Sequence, residues 1–176
     1  EAESSYKEAI ALKPSFSGAH NNLGITLQSQ GRLDEARSSY MQAVALKPDF
    51  AEAHYNLGVT LQNLDRVDEA VESYLRAIEQ RPEYAEAHYN LGITFKNMGR
   101  LDDSEASYRR AIASRPKYAE AHCNLGVTLQ DLGRHDEAEA SYKKSLELKA
   151  DYAEAHWNLG VLLQELGKFS EAEASY

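Results

Sequence analysis

The chain has 176 residues, of which 27% are charged and 43% hydrophobic, and its formal net charge is −9. No basic run is present to neutralise a phosphate backbone, so nucleic acid is not an expected partner, and neutral or basic protein segments are favoured. No apolar run is long enough to span a membrane, and no signal peptide is visible at the start. Cys123 is the sole cysteine, so no intrachain disulfide forms. Together these features point to an intracellular, cytoplasmic setting.

Along the chain, residues 1–14 read as the second helix of a helix pair, ended by Pro14. Segments 17–50, 51–84, 85–118 and 119–152 follow in strict register, and a truncated segment occupies 153–176. Tyr6, Tyr40, Tyr74, Tyr108, Tyr142 and Tyr176 mark the common step, as do Gly24, Gly58, Gly92, Gly126 and Gly160. Internal periods of this size are the mark of stacked repeats. Each segment is expected to hold two helices. In 51–84 the first runs from about Ala51 to Asn63, with Ala53, Leu57, Gly58 and Leu61 on one stripe. Asp49 with Glu52, and Asp151 with Glu154, predict a capping box at its start. The second helix begins at Val67 or Asp68 and runs to Ile78, with Ala70, Tyr74, Ala77 and Ile78 as its stripe. Gly31, Gly99, Gly133 and Gly167 fall between the helices, where a left-handed residue is expected, and Asp65 takes that place once. No stretch reads as a strand. One helix pair cannot bury its own apolar face, whereas a stack of pairs can.

The run Leu57-Gly58, Leu61, Ala70, Tyr74, Ala77, Pro82, repeated at this period, resembles the tetratricopeptide repeat over the whole chain. His54 and its equivalents replace the aromatic usual four residues into the repeat. The resemblance implies an all-α, right-handed α-solenoid, a superhelix of antiparallel helix pairs, with first helices lining a concave face. The whole of 1–176 then forms a single array. It has no polar capping helix at either end, which predicts a piece of a longer array and end-to-end self-association.

Carried over from the family, the concave positions include Glu52, Val59, Gln62 and Asn63 with their equivalents 34 residues away, among them Glu86, Glu120, Lys96 and Gln130. They also include two adjacent columns. One varies, through Asn21, Tyr55, Tyr89, Cys123 and Trp157. The other is always asparagine, at Asn22, Asn56, Asn90, Asn124 and Asn158. A packed core resists volume changes as large as Asn to Trp, so the variable column is expected to face solvent and tune selectivity. Asn offers an acceptor and two donors that match a peptide unit. The fixed column therefore has two readings. It holds the backbone of an extended peptide, similar to the asparagine ladder of the O-linked N-acetylglucosamine transferase superhelix, or it bonds only to the neighbouring repeat. The family's clamp for a C-terminal carboxylate needs Lys and Arg where this chain has Tyr55, Tyr89, Cys123, Glu86 and Glu120. Only Lys96 is positive there.

His20, His54, His88, His122 and His156 are too far apart along a stack to share an ion, so no metal is expected, and packing between the two helices is their reading. His135, off this ladder, reads as a surface turn residue. No cofactor motif and no convergent catalytic group are present. The expectation is a protein- or peptide-binding scaffold without enzymatic activity. The alternatives are the substrate-recognition arm of a larger enzyme such as a glycosyltransferase, or a structural spacer.

Overall fold

A computed structural model describes residues 1–170 of the chain, so Tyr176 and most of the second helix expected after Gly167 lie outside the described residues. Among those residues ten helices and no strands are present: α1 (Ala2–Leu12), α2 (Ser17–Ser29), α3 (Leu33–Leu46), α4 (Ala51–Asn63), α5 (Val67–Gln80), α6 (Ala85–Asn97), α7 (Leu101–Ser114), α8 (Ala119–Asp131), α9 (His135–Leu148) and α10 (Ala153–Glu165). They belong to two compact units, Glu1–Ala87 and His88–Tyr176, with the boundary inside α6. In the first unit α2 packs on α3 and α4 on α5, and α3 also contacts α4. In the second, α8 packs on α9, α7 contacts α8, and α9 contacts α10.

Each pair closes on a tyrosine against a glycine. The rings of Tyr40, Tyr74, Tyr108 and Tyr142 are fully buried or nearly so. Tyr74 lies where a Cβ on Gly58 would come within 2.7 Å of the ring, and Tyr142 within 2.6 Å of one on Gly126. The glycine is thus required by close approach, which a methyl group would block. The tyrosine hydroxyls cross the pair to a glutamine: Tyr40 donates to Gln28 (2.9 Å), Tyr74 to Gln62 (2.8 Å) and Tyr142 to Gln130 (3.0 Å). These bonds satisfy a phenol that would otherwise be buried unpaired.

The turn within each pair is left-handed at one residue. Gly31, Gly99, Gly133 and Gly167 have φ between 73° and 74°, and Asp65 has φ 58°. The capping-box expectation fails. The residue before α4 is Phe50, with Asp49 one place earlier in the turn, and no side chain caps the helix. The same holds at Tyr152 before α10. Asp49 instead contributes its carbonyl to the Ala51 N–H (3.1 Å). The aromatic residue at the cap position lies under a cation, with Lys47 5.2 Å above Phe50, Arg81 4.4 Å above Tyr84 and Lys149 4.7 Å above Tyr152.

The ladder histidines do not simply fill space between two helices. His20, His54, His122 and His156 each bring Nε2 to the carbonyl of the residue that closes the preceding segment, Pro14 (3.0 Å), Pro48 (2.9 Å), Pro116 (3.2 Å) and Ala150 (2.9 Å). A carbonyl only accepts, so Nε2 holds the proton. Burial lowers the pKa of His122, and the Pro116 carbonyl opposes this. His135 is not a turn residue. It opens α9, half-buried, with a buried Nδ1 that has no partner among the described residues.

Candidate functional site

The fixed asparagines and the variable residues form one set of bonds. Nδ2 of Asn56 donates to Oδ1 of Asn21 (3.1 Å) in the first unit. In the second unit Nδ2 of Asn124 donates to the Tyr89 hydroxyl (2.9 Å), and Nδ2 of Asn158 points at Sγ of Cys123 (3.7 Å). Each of these steps spans 35 residues. Each asparagine reaches back to the variable residue of the preceding segment and braces consecutive first helices. The acceptor changes from amide to phenol to thiol while the donor stays the same. A side chain with a short reach and an amide N–H can serve all three.

This geometry corrects the expectation that the variable column faces solvent. Asn21 is 2% exposed and Cys123 fully buried. Tyr55 and Tyr89 are half-buried against tilted aromatic neighbours, Tyr55 with its ring 5.0 Å from Tyr84 and Tyr89 4.9 Å from Tyr118. Only Trp157 is open, at 61%. The volume change that suggested exposure is absorbed between segments, because the aromatic at Tyr84, Tyr118 or Tyr152 leans on whatever the column holds. Cys123 belongs to the core of the second unit, with Tyr89 and Tyr152 packed against it. Burial pushes its thiol up to about 11, so it is neither a wall residue nor a nucleophile. Burial likewise pushes Tyr89 up to about 12.

Other expected wall residues are also partly committed. Gln62 and Gln130 accept the tyrosine hydroxyls described above, and Gln130 Nε2 donates to Glu165 (2.9 Å). Lys96 pairs with Asp131 at 3.3 Å. Glu120 lies 3.7 Å from Lys149, and Glu154 accepts from the Tyr152 hydroxyl (3.0 Å). Glu52 is exposed on the first turn of α4, and Asn22 is exposed on α2.

What remains in the first unit is a pocket of about 560 Å³ whose walls include Ile25, Tyr55, Asn56, Val59 and Asn63. Four of these lie on one face of α4, so this first-helix face does hold a recess. Asn56 enters it with one N–H committed to Asn21, and its Oδ1 accepts nothing from the described residues. Tyr55 and Asn56, both singled out from the sequence, line this recess. Val59 and Asn63, carried over with them as concave positions, line it as well, and so does Ile25, which stands 34 residues before Val59. No cluster of His, Cys, Asp or Glu among the described residues could hold a metal ion, and no described helix is long and apolar enough to cross a membrane.

Known proteins bear on this geometry. Models described as TPR repeat match residues 27–65, 64–99 and 97–133, and models described as tetratricopeptide repeat match 117–176 and 5–38. Among solved structures, MamA is 30% identical, with 86% of this chain and 88% of that one covered and a TM-score of 0.80. TTC0263, a thermophilic TPR protein of Thermus thermophilus, is 28% identical over 91% of this chain and 88% of its own, at a TM-score of 0.67. YrrB, described as a TPR protein with an unusual peptide-binding site, is 22% identical over 97% and 88%, at 0.83. No match was found among curated proteins.

Proposed function

The chain belongs to the tetratricopeptide-repeat family, a family of protein–protein interaction scaffolds, and from that premise we propose that it binds an extended peptide segment of a partner on its first-helix face. The observation that carries this reading is the pocket on α2 and α4, with the side-chain Oδ1 of Asn56 unengaged among the described residues between Tyr55, Val59 and Asn63. One amide hydrogen fixes the side-chain plane by bonding to Asn21. The free oxygen is then a pre-oriented acceptor for a peptide N–H, and little ordering is required on binding. Asn124 and Asn158 are held the same way in the second unit. In this reading the whole chain is one array and acts without catalysis of its own. Glu52 and Glu154, exposed on first turns, favour neutral or basic segments. YrrB's described peptide-binding site supports the class of ligand by analogy.

A second reading, a structural spacer, is favoured by the same bonds, since the asparagines brace neighbouring helices. One experiment separates the two. A peptide selected from a display library against the intact chain is titrated into wild type and into Asn56→Ala/Asn124→Ala. Loss of binding by a variant that still melts cooperatively supports the groove. Retained binding with a lowered melting temperature leaves only the brace.

A further inference from the structure

The opposite face of α4 holds an unmet charge. Each turn between helices contributes a cation at one position, and at three of the five it pairs with a glutamate of the preceding second helix. Arg32 donates through Nε and Nη2 to Glu35 (2.7 and 2.6 Å) and through Nη1 to Glu3 (2.9 Å), on the preceding second helix. Arg134 donates the same pair to Glu137 (2.8 and 2.7 Å) and Nη1 to Glu105 (2.6 Å). Lys168 reaches Glu139 at 2.7 Å. In each case the acceptor lies 29 residues back.

Arg66 shares the local contact, with Nε and Nη2 on Glu69 (both 2.6 Å). Twenty-nine residues back from it stands Arg37, not a glutamate. Arg66 Nη1 therefore lacks the carboxylate that Arg32 and Arg134 have, as Arg100 does with Val71 at that spacing. Arg37 brings a second guanidinium to the place held by Glu3, Glu105 and Glu139 in three other segments and by Val71 in the fourth. Its ion pair among the described residues is a long one to Asp34 (3.7 Å), and its Nε is buried with no partner there. A buried N–H of a charged group left unpaired is costly, and a carboxylate is the group that relieves it.

Beside these two arginines lies a pocket of about 350 Å³ within the first unit, walled by Met41, Val44, Leu57 and Leu61. Met41 is 52% exposed. The other charged or titratable groups around it are Glu69, held by Arg66, Arg76, held by Glu79 (2.9 Å), His54, bonded to Pro48, and Glu72. The equivalent recess in the second unit, about 400 Å³ around Ile112, His122 and Leu125, has no such vacancy. There Glu105 already receives both Arg109 (2.8 Å) and Arg134.

We propose that this recess between α3, α4 and α5 is a second docking site, which takes an acidic–aliphatic segment of a partner protein, its carboxylate on Arg37 and Arg66 and its aliphatic side chain on Met41 and Leu57. The volume lies in the range of specific ligand pockets, and charge complementarity selects the acid. This site is on the other face of α4 from Asn56 and stands or falls without the groove.

The test uses the intact chain and a fluorescein-labelled peptide with a Glu-Leu-Glu-Leu core, beside its Gln-Leu-Gln-Leu counterpart and octanoate. The Glu peptide should bind at one site per chain, shift the Arg37 Nε–H resonance, and bind about tenfold or more tighter than the Gln peptide. Arg37→Glu supplies the missing carboxylate, so it should abolish that binding and raise the melting temperature. Arg37→Gln should weaken binding without the gain in stability, and serves if the first variant does not fold. An unmoved Arg37 resonance, equal binding of the Gln peptide, or full binding by either variant overturns the proposal. Octanoate binding without peptide binding overturns it as a protein-docking site.

Discussion

The pair α4–α5 and the pair α8–α9 share a backbone plan but differ at the positions that join segments. In α4–α5 the residue before Asn56 is a half-buried tyrosine tilted against Tyr84, and Asn56 reaches a buried amide, Asn21. In α8–α9 the equivalent of Tyr55 is Cys123, wholly buried, and Asn124 reaches the Tyr89 phenol. Serine replaces alanine at Ser145, and its hydroxyl donates to the Ala119 carbonyl (2.8 Å). Apart from that serine, which lies inside its own pair, the two pairs keep the interior constant and vary the seam between segments. Each seam change comes with a partner that satisfies it. Variation within a repeat protein is therefore no guide to solvent exposure when the variable residue sits on a seam.

The largest test breaks the constant part. Gly58 and Gly126 face fully buried tyrosine rings that are tethered through their hydroxyls, so neither ring can retreat. Gly58→Ala and Gly126→Ala should each destabilise by about 3 kcal/mol, from overpacking. Denaturant melts of the two variants should give equal losses. A large loss in one and not the other would mean that the pair interiors differ after all.

The seams should respond unequally. Asn56→Ala leaves the side-chain Oδ1 of Asn21 buried without its donor and should cost about 2 kcal/mol, the penalty of an unsatisfied buried acceptor. Asn124→Ala leaves a phenol that is only half-buried and able to meet water, and should cost about 1 kcal/mol. Asn158→Ala loses a long contact to sulfur and should cost least. The order, read from melting temperatures, is the measurement. Equal losses would show that the acceptor does not set the strength of the brace.

The helix pairs were legible in the sequence because their causes are local. The period, the Leu-Gly pairs and the turn glycines each act within one segment, and helix ends fell within one or two residues of the structure at α4 and α5. The asparagine brace was not, because it joins residues 35 apart and depends on how far one helix slides past the next. The histidine bonds to Pro14, Pro48 and Pro116 join residues only six apart and were hidden because they depend on the path of the turn between segments. Asp49 misled because it has the composition of a cap but stands one residue too early, and Phe50 holds the entry instead. The Arg37 vacancy was written in the sequence as an arginine where Glu3, Glu105 and Glu139 stand at the 29-residue spacing. It acquired meaning only once Arg32 and Arg134 showed what that spacing joins.

The smallest effect concerns the turn where the two pairs differ by one residue. Asp65 and Gly133 make the same bond, to the Gln62 carbonyl (3.1 Å) and the Gln130 carbonyl (2.9 Å), from the same left-handed backbone. Aspartate tolerates this region better than most residues but still carries a Cβ, whereas glycine has no such penalty. Glycine also frees the unfolded chain, which offsets part of the gain. Asp65→Gly should therefore stabilise by at most about 1 kcal/mol, and Gly133→Asp should destabilise by a similar amount. Because the geometry at the two turns is shared, the two shifts should be mirror images in a melting experiment. A destabilised Asp65→Gly would mean that the Asp65 carboxylate contributes something the glycine turns lack.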